Sequence, residues 1–312
     1  MWNKFPVINE ELAAFESYLE TVMASRNKFL MNASKDAVLS GGKRLRPAFT
    51  IIAALHGDYD RKRVFPAAAS VEVLHAATLI HDDIIDNAKT RRGKITLAEK
   101  HNTNLAVYTG DYLLTKSLRL LLKTGLKPEK LDVLARAISL LCEGEVEQYI
   151  SKYSVSSVYN YIKRILGKTG VLFSASLVLG AKTANLSDDI SRQFGRFGLS
   201  FGAAFQIRDD LLDILSDQSK EGKPVLNDLK EGIATLPVIM AVKNNPDFIN
   251  QVNVFFEGNG DINSILNSIR TSGGVQDTMK LKNRYKEKCM HYIEKIPYTP
   301  YTDAMSEIVN WL

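Results

Sequence analysis

Apolar positions recur at three- and four-residue intervals along almost the whole chain, and the strict alternation of a half-buried strand is nearly absent. The pattern predicts a first amphipathic helix over residues 10 to about 31. A second, over 43–55, is entered through Gly41-Gly42 and stopped by Gly57. Pro66 suits the first position of a third helix that continues to about residue 87. Further helices are expected over 105–123 and 130–151, and another, capped by Ser157, passes Gly167 and Gly170 on its way to 179.

Ser187 can cap a very long helix reaching about residue 217. Gly195, Gly198 and Gly202 lie inside it at three- and four-residue spacing, each costing about 1 kcal/mol against alanine in a helix interior. Close approach of a neighbouring helix would offset that cost, so this helix is expected to be central. A polar, lysine-rich loop over 220–230 precedes an apolar helix over 235–242. Shorter helices follow, with turns at Gly258-Asn259-Gly260 and Gly273-Gly274. With no linker, repeat or low-complexity segment, residues 1–312 read as a single all-α domain: a helical bundle with a smaller C-terminal part.

Composition adds exclusions. The chain of 312 residues is 45% hydrophobic and 24% charged, as in an ordinary globular protein with a large core. Its net charge of +5 comes without a lysine-arginine block, which argues against a nucleic-acid partner. Cys142 and Cys289 have neither disulfide-framework nor metal spacing and suit a reducing compartment. The first residues carry early charge and no apolar leader, and no apolar run reaches the ~18 residues of a membrane span. A cytoplasmic location is expected.

Two aspartate motifs change the picture most. Asp82, Asp83 and Asp86 form one DDxxD, and Asp209, Asp210 and Asp213 form another. Asp82 and Asp86 share a helix face, as do Asp209 and Asp213. One such pair is common on a solvated surface. Both motifs here sit in apolar surroundings, where carboxylates need a counterion. Mg2+ supplies it with one or two carboxylates, water and substrate phosphate oxygens, so two facing clusters could cage a diphosphate.

Singly placed basic residues fit the same chemistry. Lys43 and Arg46 stand three apart, hence on one helix face; Arg91 and Arg92 follow the first motif; Lys168-Thr169 and Lys223 lie elsewhere. Guanidinium forks match phosphate oxygens and lysine adds a point charge. His75 lies two turns before Asp82 on the same face, and Gln206 shares a face with Asp209 and Asp213. His81 points away and reads as structural.

GGKRLRP, HDDIIDNAKTRRG, GKTG, FQIRDDLLD and GKPVLNDLKEGIATLP, in this order, resemble the motifs of the trans-isoprenyl diphosphate synthases. The likeness covers residues 38–242 closely and the C-terminal third more loosely. It implies an all-α fold around a central cavity, usually as a homodimer, and head-to-tail condensation of an allylic diphosphate with isopentenyl diphosphate. Carried over by motif, Lys43, Arg46, His75 and Arg92 would bind isopentenyl diphosphate. Arg91, Lys168, Thr169, Gln206 and Lys223 would bind the allylic diphosphate. Asp82, Asp83, Asp86, Asp209 and Asp213 would hold magnesium, and Asp82, Asp86, Lys168, Thr169, Gln206 and Asp209 would carry the catalysis.

Short-chain members place bulky aromatics four or five residues before the first aspartate. Here those positions are Thr78 and Ala77, with Leu74 and Val71 deeper, so a product longer than farnesyl is expected. Replacing Ala77 with phenylalanine should shorten it.

Three features depart from the family pattern. Ile233 stands where many members have lysine, the N-terminal segment is weakly family-like, and the C-terminus lacks a common basic residue. They leave open a heteromeric assembly. Competing readings are a terpene cyclase, an HD-type metallohydrolase built on His56, His81 and Asp82, and a non-catalytic prenyl-diphosphate-binding subunit. The first two leave GGKRLRP and the second motif unexplained, and the third would be expected to have lost a motif.

Overall fold

A computed structural model of the chain describes residues 2–91, 93–215 and 226–312. Arg92 and Lys223, both expected at the substrate site, lie outside the described residues. Among those described, the architecture is helical apart from one two-residue hairpin, Thr90–Arg91 paired with Lys94–Ile95, and an isolated bridge from Ser154 to Ile233.

The chain divides into two compact units. The first comprises Met1–Ala135, Ala175–Gly195 and Ile296–Ala304. Its helices are α1 (Pro6–Val22), α2 (Lys28–Val38), α3 (Leu45–Ala54), α4 (Arg61–Ile85), α5 (Leu97–Lys100) and α6 (Thr103–Leu122). The single helix expected over 10–31 is two, because Asn27 accepts from Leu30 N and opens a new start. Likewise α4 begins five residues before Pro66, where Asp60 accepts from Lys62 N. The proline sits inside the helix rather than at its first position.

Helix α4 is the core of this unit: its residues from Val64 to Leu74 are all buried. It packs on α6, where the Ser117 hydroxyl donates to the Ser70 carbonyl at 2.7 Å. Gly110 of α6 lies so close to the His81 ring that a β-carbon there would collide with it.

The second unit comprises Arg136–Ser174, Arg196–Lys295 and Met305–Leu312. The helices that contribute residues to both units include α7 (Pro128–Ile150) and α10 (Asp188–Leu215). Between them come α8 (Val158–Ile165), a π turn (Leu166–Gly170) and α9 (Val171–Thr183). Later elements are α11 (Asn227–Lys230), α12 (Leu236–Asn244), α13 (Phe248–Phe256), α14 (Ile262–Thr271), α15 (Gly274–Ile293) and α16 (Pro300–Trp311).

Ser157 and Ser187 cap their helices as expected, accepting from Asn160 N and Ile190 N. Gly198 and Gly202 of α10 also do what their spacing predicts. A β-carbon on Gly198 would lie 2.6 Å from Ser174 Cα, and one on Gly202 would lie 2.5 Å from Gly170 Cα. Backbone thus meets backbone along α10.

Two helices, Arg61–Ile85 and Val158–Thr183, are long and apolar enough to cross a membrane by length and composition. Their most apolar windows are 78% and 67% buried within the protein, as in core helices.

Candidate active site

The first aspartate cluster stands at the C-terminal end of α4. Asp82 is half-buried, Asp83 is buried, and Asp86 is the exposed cap residue, its N–H bonded to the Asp82 carbonyl at 2.9 Å. The last turn holds no basic residue. Carboxylates there face the negative end of the helix dipole, an arrangement that favours a bound cation. The hairpin after α4 turns at Gly93 (φ +76°), and its first strand carries Arg91, whose Nε donates to Asp83 Oδ1 at 2.5 Å. Burial raises the Asp83 pKa, and Arg91 opposes the rise. Asp83 and Arg91, expected on metal and diphosphate, are therefore paired with each other here.

Upstream on α4, His75 is half-buried, Ala77 and Leu74 are each 2% exposed, and the half-buried Thr78 donates its hydroxyl to the His75 carbonyl. Lys43 and Arg46 do not share a helix face as expected. Helix α3 starts only at Leu45, after Arg44 at φ 49°, so Lys43 lies outside it. His56 bonds to the Ile52 carbonyl and Thr299 Oγ1, and burial lowers its pKa. His81 lies 3.3 Å from Asp111, and among the described residues no group of three His, Cys, Asp or Glu side chains forms an HD-type centre.

The second cluster belongs to the other unit. Asp210, 2% exposed, accepts from Tyr161 Oη (2.6 Å), Gln206 Nε2 (3.1 Å) and Leu236 N (3.2 Å), the last at the start of α12. Burial raises its pKa despite these donors. Because the Asp210 carboxylate can only accept, Gln206 must turn its amide nitrogen toward it and its oxygen away. That oxygen accepts from Thr169 Oγ1 at 3.0 Å. The Thr169 hydrogen is thereby committed, and only oxygen lone pairs remain for a ligand.

Lys168, in the same π turn, pairs with Glu145 Oε2 at 2.9 Å. Single-turn π segments recur at functional sites. This one is seated by glycines: a β-carbon on Gly167 would lie 2.9 Å from the Leu140 carbonyl oxygen, and one on Gly144 would lie 3.0 Å from Lys168 N.

Asp209 is half-buried, 3.8 Å from Arg208. Asp213 Oδ1 accepts from Asn227 N at 3.1 Å, while Oδ2 is buried with no hydrogen-bond partner among the described residues. Asp228 joins this group from α11. Burial, then repulsion from Asp210, Asp213 and Glu231, pushes its pKa up to about 7.

A metal fits this chemistry. The orphaned Asp213 oxygen and the crowded negative charge at Asp228 both call for a cation. Among the described residues, no three His, Cys, Asp or Glu side chains form a ready-made ligand set. A hard cation that keeps water and takes phosphate oxygens needs no such set.

The sequence model of the polyprenyl synthetase family matches residues 27–269. The chain belongs to the polyprenyl synthetase family. It is 35% identical over 315 residues to heptaprenyl diphosphate synthase component 2 of Geobacillus stearothermophilus, with 99% of this chain and 97% of the relative covered. Solved relatives share the all-α fold. Heptaprenyl diphosphate synthase from Staphylococcus aureus superposes with a TM-score of 0.88 at 30% identity, covering 97% of this chain and 96% of that one. The polyprenyl synthase from Caulobacter crescentus, complexed with calcium and isoprenyl diphosphate, gives 0.89 at 28% identity, covering 98% and 95%.

Within this polyprenyl synthetase, Asp228, Tyr161 and Glu145 are site neighbours that the motif reading did not assign. Asp228 had a signal, lying in GKPVLNDLKEGIATLP. Tyr161 and Glu145 had none, because their roles arise from packing against Asp210 and Lys168. Ile233, in place of a frequent lysine, is 9% exposed and joins the bridge to Ser154.

Proposed function

We propose that this prenyltransferase extends an allylic diphosphate with isopentenyl diphosphate in a magnesium-dependent reaction, giving a trans product longer than farnesyl. The observation that carries the reading is the division of labour within each DDxxD. The middle aspartate of each is buried against its partners, whereas the first and last stand one helical turn apart and are the candidates for metal.

Asp82 and Asp86, and Asp209 and Asp213, are assigned to magnesium. When bound, the ions would neutralise charge developing on the departing diphosphate. Lys168, released from Glu145, and Arg91 would contact the allylic diphosphate, with Lys223 assigned to the same group. Thr169, its hydrogen held by Gln206, presents lone pairs suited to an allylic cation rather than to a phosphate. Lys43, Arg46, His75 and Arg92 are assigned to isopentenyl diphosphate. The double bond of that substrate attacks the allylic carbon, and loss of a proton to the released diphosphate completes the step. No side chain acts as a nucleophile.

The small residues Ala77 and Thr78, together with the heptaprenyl synthase relative, support the longer product. Ala77 is so deeply buried that phenylalanine there would overpack the core. Thr78→Phe is the cleaner test: a shorter product with folding retained is expected, and an unchanged product distribution refutes the steric account.

A soluble cytoplasmic homodimer is the simplest assembly. Tyr108, Leu118 and Leu122 are 63%, 42% and 69% exposed along one side of α6 and offer apolar surface for it. The relative named as a component 2 favours a second reading, in which the chain is the catalytic half of a heteromer. Purified chain, Mg2+, farnesyl diphosphate and labelled isopentenyl diphosphate decide between them. Extension by the chain alone supports the homomer, and extension only after a second protein is added supports the heteromer. A cyclic hydrocarbon from the allylic substrate alone refutes the synthase.

A further inference from the structure

The segment around Lys43 is held by a residue that no substrate assignment uses. Gly41 and Gly42 have φ +87° and +131°, which glycine adopts without penalty. Arg44 has φ 49° and ψ 38°, a left-handed conformation that costs an arginine free energy and persists only where its surroundings enforce it.

Its side chain supplies the enforcement. Arg44 Nε and Nη2 fork onto the two carboxylate oxygens of Glu16 in α1, at 2.5 and 3.2 Å. Nη1 reaches Glu72 Oε1 in α4 at 2.7 Å. The Arg44 and Glu72 side chains are only 10% and 11% exposed. The Arg44 carbonyl meanwhile accepts from Ala48 N and so opens α3, and Trp2 Nε1 donates to the Lys43 carbonyl.

Glu72 lies three residues before His75 and ten before Asp82, hence about one turn and about 15 Å along the same helix. One guanidinium therefore ties the loop that carries Lys43, and the start of the helix that carries Arg46, to the helix that carries His75 and the first aspartates. All of these residues belong to the first unit.

We propose that Arg44, through Glu16 and Glu72, is a positioning residue that sets Lys43 and Arg46 for isopentenyl diphosphate. The claim rests on the assignment of Lys43, Arg46 and His75 to that substrate. Arg44 touches no substrate; it fixes the register of groups that do. A lysine could keep the charge but not the fork and the third bond together.

Steady-state kinetics with each substrate varied in turn test this. Arg44→Ala should raise the KM for isopentenyl diphosphate at least about tenfold, short of the ~100-fold a 1 Å misplacement can cost. The allylic KM should stay within about twofold. Arg44→Lys should fall between, and Glu72→Gln, which preserves shape, should shift the same KM if Arg44→Ala does not fold. Arg61→Ala breaks a comparable fork onto Glu11 in the same unit and should lower the Tm without selective loss of either substrate.

Equal loss of both substrates in Arg44→Ala, or the same selective loss in Arg61→Ala, would overturn the positioning role. So would an unchanged KM in Arg44→Ala and Glu72→Gln while Lys43→Ala raises it. If Lys43→Ala and Arg46→Ala both leave that KM unchanged, the substrate assignment itself falls, and the role of Arg44 with it.

Discussion

The aspartate motif that closes α4 is answered by a charge, and the one within α10 is answered mainly by neutral donors. Asp83 receives Arg91, a side chain 38% exposed that arrives on a hairpin only eight residues later. Asp210 receives a phenol from α8, a backbone N–H from the start of α12 and an amide from its own helix, and it is buried with the first two. The same spelling thus produces a local, solvent-edged arrangement in one unit and a non-local, interior one in the other. A motif's outer aspartates follow from helical periodicity, whereas the duty of its middle aspartate depends on what the rest of the chain brings to it.

The sharpest test of this comparison is activity. Asp82→Ala and Asp209→Ala should each lower kcat by about 10²–10³-fold or more, on the scale of losing a key electrostatic contact. Both should reduce activity far more than they perturb folding, with cooperative thermal unfolding retained. Full activity in either variant would break the assignment of outer aspartates to metal.

The middle aspartates should behave in the opposite way. Asp210→Ala strands the Tyr161 hydroxyl and the Leu236 N–H in the interior and should cost about 3 kcal/mol in urea unfolding. Asp83→Ala should cost about 1 kcal/mol, because Arg91 can turn to water. Equal costs would mean that the two motifs are built alike after all.

The smallest effect concerns pH. Asp228 has a folded pKa near 7 against an ordinary value of 3.8. The folded protein keeps that proton where the unfolded chain has lost it, so this group makes stability fall as pH rises from about 4 to about 7. Metal-free protein should show that decline in Tm, and Asp228→Asn should flatten it. Added MgCl2 near pH 7 should raise the wild-type Tm more than that of the variant. A decline that survives Asp228→Asn would assign it elsewhere.

Much of this was legible in the chain. The helices announced themselves by periodicity and by Ser157 and Ser187, and the close packing of α10 followed from Gly198 and Gly202. What escaped was of two kinds, local signals that were outweighed and contacts distant in sequence. The break of the first helix at Asn27 and the early start of α4 at Asp60 were local cap signals outweighed by apolar periodicity and by Pro66. The π turn, the Glu145–Lys168 pair and the left-handed Arg44 have no periodic signature, since each is imposed by packing partners. Lys43 and Arg46 looked like neighbours on one helix face because nothing in GGKRLRP marks where the helix begins.

The π turn also has a consequence for how this enzyme can vary. Lys168 and Thr169 are placed by close backbone approaches at Gly167 and Gly202, positions that contribute no functional group. In a saturation-mutagenesis map they should appear as a band as intolerant as the aspartates, with alanine already harmful. Engineering that alters the substrates or product by changing lining side chains has those two positions as its fixed points, because a single added methyl group there would push on the backbone that carries both residues.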